Sequence, residues 1–310
     1  MELIRGLYNL RPQHRGCVAT IGNFDGVHLG HQAVLGQLAE QAEAMGLPIV
    51  VITFEPQPQE FFVPAQAKPR LTRLREKFQA LKRYAVDRVL CLRFDAAFAS
   101  LSAEDFIQQV LIDGLDVKYL VVGDDFQFGQ GRKGNFELLQ AAGQQAGFPV
   151  VNMHTFNIEG ERVSSTRVRH ALEQGELALA EQLLGRPYRM CGRVAHGDKR
   201  GRTIGFPTAN IHLHRKTSPV QGVFAVEMFG VKGEPVAGVA NVGNRPTVDG
   251  TRSLLEVHLF DFNEEIYGTY VHVNFVHKIR DEMKFESFDA LKEQIKQDER
   301  QAREWFESRK

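Results

Sequence analysis

The sequence predicts an α/β domain built on a doubly wound parallel sheet, followed by an antiparallel β-barrel that ends in a helix. Three observations carry this. Up to residue 151, short apolar runs rich in β-branched residues alternate with segments of helical spacing, the pattern of a mostly parallel sheet. After Leu184 helical spacing gives way to short strand-like runs between glycine-rich turns. The last stretch returns to helical spacing. A chain of 310 residues is long enough for two domains. They are expected at 1–184 and 185–310, with Gly185-Arg186-Pro187 as the linker.

Val18 to Ile21 reads as a buried strand. Val34, Leu35, Leu38, Ala42 and Met45 recur with helical spacing, and Gly46 and Pro48 stop that helix. Ile49 to Phe54 is a second strand. Leu71, Leu74, Phe78 and Leu81 mark a helix, Val89 to Phe94 a strand, Ala103 to Ile112 a helix and Tyr119 to Val122 a strand. Phe136 to Ala146 is helical, Pro149 to Val151 opens a last short strand, and Val168 to Gln174 is helical. In the second part the strand-like runs are Val223 to Phe229, Val236 to Val239, Leu254 to Phe260 and Tyr270 to Val276. Ser287 is placed to cap a closing helix that carries Leu291, Ile295, Ala302 and Phe306 roughly on one face.

Composition excludes several classes. Lys and Arg balance Asp and Glu at 38 each, so no global field favours nucleic acid or an anionic membrane. Cys17, Cys91 and Cys191 are scattered without a C-x-x-C pair, which argues against a zinc site or disulfide framework and fits a reducing compartment. No apolar run is long enough to span a bilayer, and the N-terminus does not read as a signal peptide. A cytoplasmic protein with small-molecule ligands, and with neither nucleic acid nor membrane as partner, is the expectation.

The most informative segment is Gly22-Asn23-Phe24-Asp25-Gly26-Val27-His28-Leu29-Gly30-His31, between a strand and a helix. Its glycines permit a sharp turn and close backbone approach, and helix-start N–H groups attract anions. His28 and His31 fall on one helical face, suited to a phosphate; two surface histidines beside a tight turn is the competing reading. Ser164-Ser165-Thr166-Arg167 also opens a helical segment, with hydroxyls and a guanidinium for a phosphate tail or, alternatively, an N-cap and a surface arginine. Gly129-Gln130-Gly131-Arg132-Lys133-Gly134 fits G-x-G-x-x-G but does not follow its strand directly and lacks the acidic residue of a dinucleotide site. The preceding Asp124, Asp125, Phe126 and Phe128 suit a flat aromatic ligand with polar edges. In the second part, Gly197, Arg202, Gly205, Pro207, Thr208 and Asn210 lie in a glycine-dense run. It is not a Walker loop, but its arginine, hydroxyl and amide suit nucleotide phosphates with Mg²⁺. Strand alternation puts Glu256 and His258 on one face, where Glu256 is a candidate base or part of a solvated face. Asn241 to Thr247 reads as a loop that could touch substrate, and Arg280 as a strand-end residue within reach of a ligand.

In this order, these motifs resemble the bacterial bifunctional riboflavin kinase/FAD synthetase family over essentially the whole chain. The resemblance implies a Rossmann-like nucleotidyltransferase domain and a flavokinase barrel, with ATP as co-substrate, riboflavin, FMN and FAD as substrates or products, and Mg²⁺. It implies that His28 and His31 serve adenylyl transfer on ATP phosphates, with Gly22, Asn23, Phe24, Asp25, Ser164, Ser165, Thr166 and Arg167 completing that site. It places Asp125, Phe126 and Phe128 at a flavin, with Asn241 and Arg280 as flavin contacts of the barrel. Gly197, Arg202, Gly205 and Pro207 would line the kinase ATP site, Thr208 and Asn210 would hold the metal, and Glu256 would be the kinase base. Gln57 stands where a histidine is common, and Phe224 where a tyrosine is frequent.

Overall fold

The computed structural model describes residues 1–153, 156–196, 205–215, 217–247 and 250–309. Packing divides the chain into two compact units, Met1–Lys68 with Thr72–Ser164, and Pro69–Leu71 with Ser165–Lys310.

The first unit is built on a six-stranded sheet of β1 (Glu2–Arg5), β2 (Cys17–Ile21), β3 (Ile49–Glu55), β4 (Arg88–Arg93), β5 (Val117–Gly123) and β6 (Val150–Met153). All pairings are parallel, in the order β1-β4-β3-β2-β5-β6. Alternate side chains of each strand enter opposite layers: Cys17, Ala19 and Ile21 pack with Phe106 and Val110, while Val18 packs with Leu35 and Leu38. That two-sided burial explains the near-continuous apolar runs. Helices α1 (Leu29–Met45), α2 (Leu74–Leu81) and α4 (Phe136–Ala146) match the expected periodicities. The helix expected over 103–112 starts as α3 (Ala103–Phe106) but continues as π-helix over Ile107–Ile112. Strand β1 has no counterpart in the sequence reading; with Ile4 its one buried side chain, it is too short to show a period. The hairpin β7 (Asn157–Ile158) and β8 (Glu161–Arg162) follows the sheet.

In the sheet order, β2 and β5 are neighbours, and the chain leaves them in opposite directions, β2 toward β3 and β5 toward β6. This is the switch point at which doubly wound sheets open a ligand crevice beyond their carboxyl ends. Gly22–His31 and the loop after Gly123 both leave the sheet there.

The second unit holds a closed antiparallel barrel in the order β10-β13-β12-β11-β14-β9, back to β10. Its strands are β9 (Tyr188–Ala195), β10 (Ala209–His212), β11 (Gly222–Phe229), β12 (Val236–Thr247), β13 (Gly250–Leu259) and β14 (Tyr270–Arg280). The expected loop over 241–247 is the second half of β12, paired with β13 from Gly238 to Thr247. Its Asn, Gly and Pro content disguised it. β9 and β10 also escaped the pattern, because two arginines and a glycine interrupt one and the other has four residues. The expected linker is the short join between α6 (Leu177–Leu184) and β9, both within this unit, and α6 packs on β9 and β14. Helix α5 (Ser165–Gln174) pairs with α6. Phe224 is fully buried against Phe275 inside the barrel, which makes it a core residue.

Helix α7 (Phe288–Glu307) begins at Ser287, whose hydroxyl accepts from Ala290 N at 3.1 Å. Ala302, Trp305 and Phe306 cover Val223, Ala225 and Val239 on the outer wall of the barrel. A bidentate ion pair pins the helix: Arg280 Nε and one terminal nitrogen each donate to Asp298 at 2.8 Å, and Gln294 adds a third bond to that carboxylate. Among the described residues, no helix is long and apolar enough to cross a membrane.

Asp298→Ala leaves a largely enclosed guanidinium without its carboxylate. The expected cost is about 3 kcal/mol. It is read as a lower urea midpoint in the emission of Trp305, the chain's single tryptophan.

Candidate functional site

The first cluster surrounds the loop between β2 and α1. His28 caps α1, its Nδ1 accepting from His31 N at 3.4 Å, and the two imidazoles stack with centroids 3.7 Å apart. An accepting Nδ1 puts the neutral ring's proton on Nε2, leaving His28 a donor on its far edge. The Phe24 ring lies tilted against His31, with centroids 4.8 Å apart. Burial above all, with the neighbouring His28, Lys77 and Arg162 disfavouring a further positive charge, holds His31 well below the usual histidine pKa, so it is a neutral imidazole at physiological pH. Its Nδ1 is enclosed with no hydrogen-bond partner among the described residues.

Not every residue of the expected site faces outward. Gly22 and Asn23 remain accessible, but Phe24 and Asp25 are buried. Asp25 Oδ1 accepts from Thr72 N at 2.8 Å and from Thr72 Oγ1 at 3.1 Å, and that hydroxyl also accepts from Gly26 N at 2.9 Å. The observed role of Asp25 is therefore to brace the loop. Lys77, fully buried on α2, donates to Thr53 Oγ1 at 3.3 Å beneath the same loop. Phe24 and Val27 have φ of 47° and 45°. Such angles in an aromatic and a β-branched residue are strain held by surrounding packing. Gly30 is required by close approach: a Cβ there would lie 3.2 Å from His28 Nδ1 and 3.3 Å from the Val163 carbonyl.

Two further polar atoms without a partner among the described residues sit along the carboxyl edge of this sheet, Gln57 Nε2 after β3 and Asn152 Oδ1 in β6. Buried polar atoms without partners call for a ligand or water. Asn152 lies in a strand and escaped the motif reading. So did Arg162, which bridges Asp124 at 3.3 Å and Asp125 at 3.1 Å. In the loop after β5, Phe126 stacks on Phe128 at 5.4 Å. Phe128 itself is 7% exposed and belongs to the core, so only Phe126 of the pair presents a ring, a correction to the expected contact at Phe128. Gly134 lies under the Phe128 ring, which a Cβ would strike at 2.6 Å. The glycine-rich loop is thus a packing device. Behind Phe128 the Phe106 ring lies tilted at 5.3 Å, and from it edge-on contacts run through Phe98 and Phe94 to the exposed Phe62. Ser164 ends this unit, while Ser165, Thr166 and Arg167 form the first turn of α5 in the other.

The second cluster lies on the barrel. Register places Asn210 of β10 opposite Glu256 of β13, and Glu256 opposite Asn241 of β12. Direct partners share a face with Cβ atoms about 5 Å apart. The carboxylate therefore sits between two amides in one row. A cavity of about 310 Å³ is lined by Pro207, Thr208, Ala209 and Val257 and walled by Val194, Leu259, Phe262 and Tyr267; Ala209 and Val257 alternate with Asn210 and Glu256, so the row of carboxylate and amides lies on the other face of these strands. The four wall residues were not anticipated, since nothing in the sequence links Val194 to Tyr267 until the barrel closes. Gly205 and Pro207 are exposed, and Gly197 and Arg202 lie outside the described residues. Arg280 was expected at a ligand, but its three guanidinium nitrogens go to Asp298 and the Asp281 carbonyl. Its place in this structure is to anchor α7. No group of three or more His, Cys, Asp or Glu able to hold a metal occurs among the described residues. Thr208 and Asn210 offer neutral oxygens, which fit a hard cation that arrives with phosphates.

Comparison with known proteins finds a FAD synthetase family model over residues 10–167 and a riboflavin kinase family model over residues 184–306. A bifunctional riboflavin kinase/FMN adenylyltransferase of Haemophilus influenzae is 53% identical, covering 99% of this chain and 100% of its own. The protein of the same description from Escherichia coli K12 is 54% identical over 99% of this chain and 98% of its own. A solved structure titled as a macrolide-efflux protein from Streptococcus pneumoniae superposes with a TM-score of 0.83 at 35% identity, over 98% of this chain and 99% of that one.

The depressed His31 pKa has a signed consequence. The unfolded chain takes up a proton near pH 6.5 that the folded chain refuses, so this contribution to stability is present above that pH and lost as pH falls below it. The stability advantage of the wild type over His31→Asn should narrow between pH 7 and 5, measured by urea denaturation followed by circular dichroism. Gly30→Ala should displace His28 and cut turnover at this site by at least tenfold, a change of about 1.4 kcal/mol in barrier.

Proposed function

Since the chain belongs to the bifunctional riboflavin kinase/FMN adenylyltransferase family and has both the riboflavin kinase and the FAD synthetase domain, we propose that residues 185–310 form its kinase module and residues 1–184 its adenylyltransferase module. Riboflavin and ATP give FMN and ADP; FMN and a second ATP give FAD and pyrophosphate.

In the kinase module Glu256 is the base that takes the proton of the ribityl 5′-hydroxyl as it attacks the γ-phosphorus of ATP. The observation that carries this reading is the register row Asn210–Glu256–Asn241, with Thr208 two residues before Asn210. Phe262 and Tyr267 suit the adenine face of the cavity, and Asn241 suits a flavin contact. Thr208 and Asn210 hold Mg²⁺, which when bound neutralises charge on the phosphates. Gly205 and Pro207 line the phosphate path.

In the adenylyltransferase module the nucleophile is the phosphate of FMN, already anionic, so no enzyme base is needed. His28 donates from Nε2 to ATP phosphate oxygens, and neutral His31 supports it from below. Gly22 and Asn23 bring backbone close to the nucleotide, and the Ser164 hydroxyl is a further phosphate contact of this unit. Phe126 offers a ring to the isoalloxazine, with Asp125 at a polar edge. Positioning and charge stabilisation carry the step. A balanced net charge supports flavins and nucleotides as the partners, with neither nucleic acid nor membrane, and a cytoplasmic location.

Incubation with riboflavin, ATP and Mg²⁺ should yield FMN first and FAD after it by chromatography; absence of both products overturns the reading. Glu256→Ala should lose FMN formation by 10²-fold or more, within the range for a general base, while still converting supplied FMN to FAD. His31→Ala should do the reverse. Loss of both activities in either folded variant would refute separate sites.

A further inference from the structure

The imidazole of His258 stands two residues along β13 from Glu256 and on the same face. Its Nδ1 lies 2.9 Å from the Pro207 carbonyl oxygen. A carbonyl only accepts, so Nδ1 carries the proton and donates. The ring also meets Phe206 edge-on at 5.4 Å. On its other side Nε2 is 4.0 Å from Glu299 of α7. Glu299 is itself held by Arg303 at 2.8 Å, and Arg303 bonds Asp261 at 2.9 Å and lies 4.3 Å over the Phe260 ring. The backbone pairing of β10 with β13 runs from Ala209 to His212, so Thr208 and Pro207 lie just past the end of that ladder. The bond from His258 extends the attachment by a side chain, at the residue before Thr208.

We infer that His258 is a positioning residue of the kinase reaction, fixing the Phe206–Thr208 segment so that Thr208 and the cavity wall meet the nucleotide phosphates. It touches neither substrate nor metal; it acts through the Pro207 carbonyl. Helix α7 stands close to the far edge of the ring, with the Glu299 carboxylate 4.0 Å from Nε2. The inference rests on the reading of Thr208 as a nucleotide contact.

The test measures KM for ATP and kcat of riboflavin phosphorylation with Mg²⁺ in full-length His258→Ala, His258→Asn and Thr208→Ala, with conversion of supplied FMN to FAD and Trp305 emission as fold controls. Loss of one anchoring hydrogen bond should raise KM for ATP about tenfold in His258→Ala with kcat within threefold. His258→Asn, whose amide reaches the position of Nδ1, should recover most of it, and FMN adenylylation should stay within twofold throughout. If Thr208→Ala raises KM but His258→Ala does not, the positioning role is overturned and the site reading stands. If neither does, the site reading itself falls. If His258→Asn is as impaired as His258→Ala, the donated hydrogen bond is not the cause and the inference fails.

Discussion

Strand register is the constraint on which the barrel chemistry depends. Glu256 has an amide on each side because β13 pairs with β10 at Asn210 and with β12 at Asn241. A slip of one residue in either ladder would turn the carboxylate into the apolar interior beside Leu255 and Val257, both fully buried. Closure of the ladder into a barrel leaves no free edge along which such a slip could start. The same pairing holds Asn210, Glu256 and Asn241 in one row, so one set of backbone hydrogen bonds places the carboxylate and both amides together.

The first unit solves its placement problem by winding direction. A loop that leaves a strand at the switch point has open space above it, where loops elsewhere meet a neighbouring crossover. The sequence then fills the underside of that space with buried cations and braces, Lys77 beneath Thr53 and Thr72 beneath Asp25. Its upper side keeps neutral donors.

How much of this was legible depended on whether a residue's role was local. Gly22–His31 could be read because turn, cap and helix start are set within ten residues. The α1 and α4 periods were readable for the same reason. Asn241 to Thr247 was not, because Asn, Gly and Pro favour loops and only the partner strand β13 keeps them extended. Asp25 and Arg280 looked like ligand residues by type, yet Thr72 and Asp298, which engage them, lie 47 and 18 positions away. Val194 and Tyr267 share a cavity for which no local signal exists. Charged residue types announce that a partner is needed; they do not say whether it is a ligand or the protein itself.

The left-handed angles at Phe24 and Val27 bear on how this chain can change over generations. Strained positions are where a substitution most easily gains stability, and here they belong to the loop that carries His28. Selection for heat tolerance alone would find gains at this loop, and each would relax the geometry that presents the imidazole. The loop is thus a place where robustness and turnover trade against one another. Lineages that keep FAD synthesis under selection are expected to draw their stabilising changes from the outer faces of α1 and α7.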